Sequence, residues 1–197
     1  MKIYLTSIET AFAKALKDEL ISRGHEVFVG EDLNPLSSLD LFVATEDKKL
    51  DADTFTVEDG IKPEIVLESL RVNMIAPIKA LEAATPALDN GSLKRICFIT
   101  SHKACVTVCE ETSGYGYQMA KAALHQALHL TFNKLRQENY TMRLYDPLEG
   151  QIPAESSAYT AAEFFLRSRS YDPDNKINRN DENNFALYDA MNRHIPW

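Results

Sequence analysis

The first thirty residues read as strand, helix, strand, and that order constrains the fold more than any other feature of the chain. "KIYLTS" (2–7) is a short β-rich run. "TAFAKALKDELISRG" (10–24) follows with apolar residues at helical spacing: Phe12, Leu16, Leu20 and Ile21 make one stripe, and Gly24 suits the left-handed position after a helix end. "HEVFVG" (25–30) is the next strand. A strand–helix–strand unit of about 30 residues is the signature of a parallel sheet.

The remaining elements extend this pattern. "LDLFVAT" (39–45) is a third strand, and residues 64–88 form a long helix with Pro77 inside, closed by an "NGS" turn. "KRICFITS" (94–101) is a mostly apolar fourth strand, as expected where a sheet is covered on both faces. A second long helix spans 114–138, with Ala120, Ala123, Leu124, Ala127, Leu128, Phe132 and Leu135 along one side, and "YTMRLYDP" (140–147) is a last strand. The polar segment 167–184 reads as a surface loop before a closing helix and "IPW". The pattern implies a three-layer α/β/α sandwich on a mostly parallel sheet, and 197 residues without repeat or linker imply a single domain, 1–197.

Bulk properties exclude several functions. A net charge of −8 disfavours nucleic acid and anionic membranes as partners. With no apolar run near ~18 residues and no basic-then-apolar leader, neither a membrane span nor a signal peptide is expected. Three cysteines, Cys97, Cys105 and Cys109, do not form an even set and point to a reducing, cytoplasmic setting.

The chemistry centres on "SGYGYQMAKAAL" (113–124), where Tyr117 and Lys121 lie one helical turn apart on one face. A tyrosine titrating near ~10 is a reluctant proton donor at neutral pH, and an adjacent lysine favours its phenolate. With Asn73 in "LRVNMIAPIKALEA" (70–83) and Ser101 ending "RICFITS", these residues occur in order on four elements. In this the chain resembles the short-chain dehydrogenase/reductase family, and its small carbonyl-reductase-like branch in particular. The resemblance covers most of the chain and implies a Rossmann-like fold and a nicotinamide-dependent carbonyl–alcohol oxidoreductase acting on a small molecule. It implies that Tyr117 is acid/base, Lys121 activates it and holds the nicotinamide ribose, Ser101 polarises the carbonyl, and Asn73 holds a relay water. It further implies NAD(P) contacts at Thr6, Ser7, Phe12 and Lys121. A homodimer or homotetramer through helices 64–88 and 114–138 is also implied.

The cofactor side departs from the family pattern. Aligned on Thr6, the three loop glycines become Ser7, Ala11 and Ala13, and Glu9 lies where a pyrophosphate would rest. The family's Asn-Asn-Ala-Gly becomes "ATED" (44–47), and its Pro-Gly becomes "PLEG" (147–150). Between Gly30 and Asp40 there is no room for the usual helix plus strand, so the sheet is expected to be shortened on the adenine side. Glu31 or Asp32 could still hold a ribose diol, which favours NAD over NADP. Two alternatives therefore stand beside the oxidoreductase: a binding protein or pseudo-enzyme that has lost the dinucleotide, and a nucleotide-independent isomerase or dehydratase using Tyr117.

Other reactive residues read as structural. His102, Cys105 and Cys109 match no tight zinc spacing and lack a fourth ligand, so no metal is expected, and the thiols read as loop lining. Cys97 reads as core, and His125 and His129, one turn apart, as surface or interface residues.

Overall fold

A computed structural model describes residues 1–30, 33, 36–167 and 184–196. Seven strands form one sheet in the order β2-β1-β3-β4-β5-β6-β7. These are β1 (Lys2–Leu5), β2 (Glu26–Val29), β3 (Leu41–Ala44), β4 (Arg95–Ile99), β5 (Thr141–Asp146), β6 (Leu187–Asp189) and β7 (His194–Ile195). Every pairing is parallel except β6 with β7. Helices α1 (Ala11–Ser22) and α5 (Ala154–Leu166) pack on one face; α3 (Ala76–Asp89) and α4 (Tyr115–Leu135) cover the other, with α2 (Pro63–Leu70) against α4. This is the Rossmann-like three-layer sandwich that the periodicity predicts.

Burial explains the strand compositions. Every residue of β3, β4 and β5 is buried, as helices on both faces require. One core cluster joins Phe42, Ile96, Phe98 and Leu144 to Leu88 and Leu128; the other joins Leu5, Val43 and Cys97 to Phe12, Leu16 and Phe165. The sheet ends at β2 among the described residues, consistent with a shortened adenine side. Glu31 and Asp32 lie outside the described residues, as does nearly all of the predicted 167–184 loop.

Three expectations change. The closing helix is instead the β6–β7 pair: β6 lies parallel to β5, and the edge strand β7 returns antiparallel to it. Helix α5, hidden in a stretch of small residues, was not expected; Ala158, Ala161 and Ala162 let it lie close against α1 and the sheet. The predicted helix 64–88 is interrupted by a π-helical turn, Arg71–Ile75, between α2 and α3. Pro77 lies two residues past that turn, in the first turn of α3. Having no N–H, it leaves an ordinary helical bond unmade, and the Ala76 N–H reaches back to the Arg71 carbonyl instead.

Two arginines tie the sheet to α5. Arg95 is fully buried, and its guanidinium donates to Thr141 Oγ1 (3.0 Å), the Phe165 carbonyl (2.6 Å) and the Arg167 carbonyl (2.8 Å). Arg143 donates to the Phe164 and Arg167 carbonyls. Both cations thus meet the carbonyls left open at the C-terminal end of α5, where the helix dipole favours positive charge.

Candidate active site

The predicted residues converge at the C-terminal ends of β3 and β4, beside the start of α4. That edge of an open parallel sheet is where ligands bind. Tyr117 stands in the first turn of α4 and Lys121 one turn on, both buried. Ser101 lies two residues past β4, where its Oγ accepts from the Lys103 N–H (3.3 Å) and caps a 3-10 turn, His102–Ala104. Asn73 sits in the π-helical turn, fully buried, and its side chain spans the Lys48 backbone: Oδ1 accepts from Lys48 N (2.9 Å) and Nδ2 donates to Lys48 O (2.8 Å). Asn73 therefore anchors the segment after β3 rather than presenting its amide to a ligand.

Helix α4 starts without a cap of its own, since Gly114 adopts φ +76° and offers no side chain. The buried Asp53 supplies one, accepting from Gly116 N (3.0 Å) and Tyr117 N (2.7 Å). A Cβ on Gly116 would lie 2.9 Å from Ser69 Oγ and 3.1 Å from Asp53 Oδ2, so a glycine is needed for this approach. Sequence reasoning missed Asp53; the available signal was a helix start, "SGYG", with glycine at the cap position.

The acids of "ATED" occupy the centre of the site. Tyr117 Oη donates to Asp47 Oδ1 (2.5 Å), and Lys121 Nζ lies 3.2 Å from the same oxygen while donating to the carbonyls of Glu46 (2.8 Å) and Ile99 (3.3 Å). Burial pushes the Tyr117 hydroxyl well above its ordinary value, and the charge and hydrogen bond of Asp47 push it further; a hydrogen bond with Ser101 only partly opposes them. This corrects the expectation that Lys121 makes Tyr117 more acidic, because Asp47 sits against both groups.

Glu46 reaches the other way, into the β1–α1 loop. Thr6 Oγ1 donates to Glu46 Oε2 (2.6 Å), Thr45 Oγ1 accepts from Ser7 N (3.0 Å), and Ser7 Oγ accepts from Glu9 N (3.2 Å). Burial raises the Glu46 carboxyl, and the Glu9 charge adds to this against the Thr6 bond and Lys121. As held here, the loop does not fit a pyrophosphate: the N–H groups of Ser7 and Glu9 serve the chain's own acceptors, and a carboxylate rests on Thr6. Phe12, expected at the cofactor, is instead buried and stacked on Tyr145 at 5.9 Å between centroids.

The two helix histidines separate. His129 is exposed, stacked on Phe185 at 4.9 Å. His125, expected at the surface, is buried, with Nε2 2.5 Å from Thr100 Oγ1. Burial, helped by the Lys121 charge, lowers His125 to about 4. The unfolded chain takes up this proton below an ordinary pKa near ~6.5, whereas the folded one refuses it until about 4. Stability is therefore expected to fall by roughly 3 kcal/mol as pH drops through that window. Urea midpoints across it should show the loss, and His125→Gln should remove it. Cys97 is core, its thiol raised to about 12, and buried Cys105 is raised to about 11. Among the described residues no group of three or more His, Cys, Asp or Glu is placed to hold a metal ion, and no helix is long and apolar enough to cross a membrane.

No family model matches the chain. The C-signal protein of Myxococcus xanthus is 30% identical over 76 residues, 39% of this chain and 46% of that protein, so the match spans less than half the length of this curated relative. Solved structures align over nearly the whole chain. A carbonyl reductase from Pseudomonas aeruginosa PAO1 in complex with NADP has a TM-score of 0.76 at 14% identity, covering 100% of this chain and 99% of that one. The carbonyl reductase Sniffer of Drosophila melanogaster has a TM-score of 0.70 at 12% identity, covering 99% and 87%. At such identities the likeness establishes the fold: that of the short-chain dehydrogenases and carbonyl reductases.

Proposed function

We propose, from the short-chain dehydrogenase/reductase fold as premise, that this chain is an oxidoreductase interconverting a carbonyl and an alcohol on a small molecule. The observation that carries this reading is the Ser101–Tyr117–Lys121 cluster assembled at the C-terminal end of the sheet. Tyr117 gives its proton to the oxygen of a carbonyl, or takes it from an alcohol. Ser101 donates a hydrogen bond to that oxygen, and Lys121 supplies the nearby positive charge. A nicotinamide dinucleotide would supply the hydride. The loop as held does not fit its pyrophosphate, so this reading requires Glu46 to leave Thr6.

That same contact favours a second reading, a protein of this fold that works without a dinucleotide, as a binding protein or as an isomerase or dehydratase using Tyr117. Calorimetry with NADH and NADPH at millimolar concentration separates the two. Binding, together with reduction of an aldehyde or ketone panel that Tyr117→Phe lowers by ~100-fold or more, is the result the first reading expects. Absence of binding by either nucleotide removes it. An activity or phenotype that survives Tyr117→Phe then identifies a binding protein, and one that is lost identifies a nucleotide-independent enzyme. In either case association through 64–88 and 114–138 is proposed, with exposed Leu67, Ile75, Met119 and Leu130 on those helices available to a second copy.

A further inference from the structure

We propose that His102, oriented by Asp146, is a second proton-transfer residue of this site, serving the oxygen of the same small ligand. The inference rests on the reading that the site handles a carbonyl or alcohol oxygen. His102 Nδ1 lies 2.5 Å from Asp146 Oδ2, and the same carboxylate accepts from the backbone N–H groups of His102 (2.6 Å) and Leu148 (2.8 Å). A carboxylate already accepting two backbone donors acts as acceptor to the ring as well, so Nδ1 carries the hydrogen and Nε2 is left with its lone pair. A histidine so oriented by a buried aspartate is the arrangement that serves as general base and then as general acid.

Position supports the same role. Asp146 ends β5 and is buried, while His102 follows Ser101 just beyond β4 with about a quarter of its side chain (26%) open to solvent. The two backbone bonds already fasten the ends of these strands, so the ring contact is not needed as a clip. Ile99 of β4 stands opposite Tyr145 of β5, so the ends of these two strands hold the pair on the Ser101 side of the oxygen site. Tyr117 itself is engaged by Asp47, so a second donor has work to do. The charged groups around His102 are Asp146 from β5 and, in its own loop, Lys103 ion-paired with Glu111. In the proposed step the lone pair of Nε2 takes the proton of the ligand's hydroxyl, breaking O–H and forming N–H, and the imidazolium passes that proton on to water; in the other direction the imidazolium, protonated from solvent, gives its Nε2 proton to the ligand oxygen.

Diethyl pyrocarbonate, read out by peptide mass mapping over the chain's five histidines, tests the pair without a substrate. His102 is expected to react ~10-fold or more faster than exposed His129 and His194, and Asp146→Asn should lower its rate toward theirs. Equal rates overturn the proposal. Where a carbonyl substrate has been found, His102→Asn keeps an N–H for Asp146 but lacks the second nitrogen. It should lower kcat by ~100-fold or more and remove one limb of the pH–rate profile, with the thermal midpoint unchanged. An unchanged kcat and profile overturn it. A failed reductase assay with a fast-reacting, Asp146-dependent His102 condemns the oxidoreductase reading and not the pair.

Discussion

Arg95→Met is expected to destabilise the fold by about 3–5 kcal/mol, the largest stability effect of any single substitution considered. The methionine reproduces the stem but not the donors, leaving Thr141 Oγ1 and the Phe165 carbonyl without the partners Arg95 gave them. The Arg167 carbonyl keeps a bond from Arg143 (3.2 Å), which limits the damage there. Each buried acceptor stripped of its partner costs about 1–3 kcal/mol, and the C-terminal end of α5 also loses a cation. Urea titration should show the loss in the midpoint without a change in slope. A drop under about 1 kcal/mol would mean that α5 is held by its apolar face alone.

Glu46→Gln is expected to strengthen NADPH binding by ~100-fold. A single negative charge about 5 Å from a phosphate at an effective dielectric near ~20 contributes about 3 kcal/mol of repulsion, which corresponds to that factor. Glutamine can still accept from Thr6 in the free protein, and when it leaves Thr6 to a phosphate it carries no charge to repel the incoming group. Titration calorimetry on the two proteins reads the difference, and equal affinities would show that something other than charge excludes the nucleotide. The same variant should be more stable than wild type at neutral pH. Burial raises the folded Glu46 pKa, so its contribution is lost as pH rises through that value, and the variant's advantage should vanish in acid, below the ordinary carboxylate range.

The sheet and its order of elements were legible because buried strands are continuous apolar runs and α1 carries a clean stripe. The closing strands were not, since β6 has three residues and β7 two, too few for alternation to distinguish them from a helix turn. Helix α5 was missed because its buried face is largely alanine. In the site, Tyr117 and Lys121 were singled out by type and spacing, and Ser101 and Asn73 through the family resemblance and its order of motifs. What spacing does not carry is what a loop brings across: Asp47 on Tyr117, Glu46 on Thr6 and Asp53 on the start of α4 all come from the segment after β3. That segment has no period to read: the acids of "ATED" stood out only as a departure on the cofactor side, and Asp53 was passed over.

The π-helical turn at Arg71–Ile75 amounts to one residue more than a regular helix would need. The wide turn absorbs that extra residue, so deleting one of the five would close it into a regular helix, with α2 and α3 close to their present faces but without the bulge that carries Asn73. Asn73 would turn away from Lys48, and the stretch carrying Glu46 and Asp47 would lose its anchor. The placement of the site's two acids is thus recorded partly in the length of a helix, where no inspection of side chains would find it.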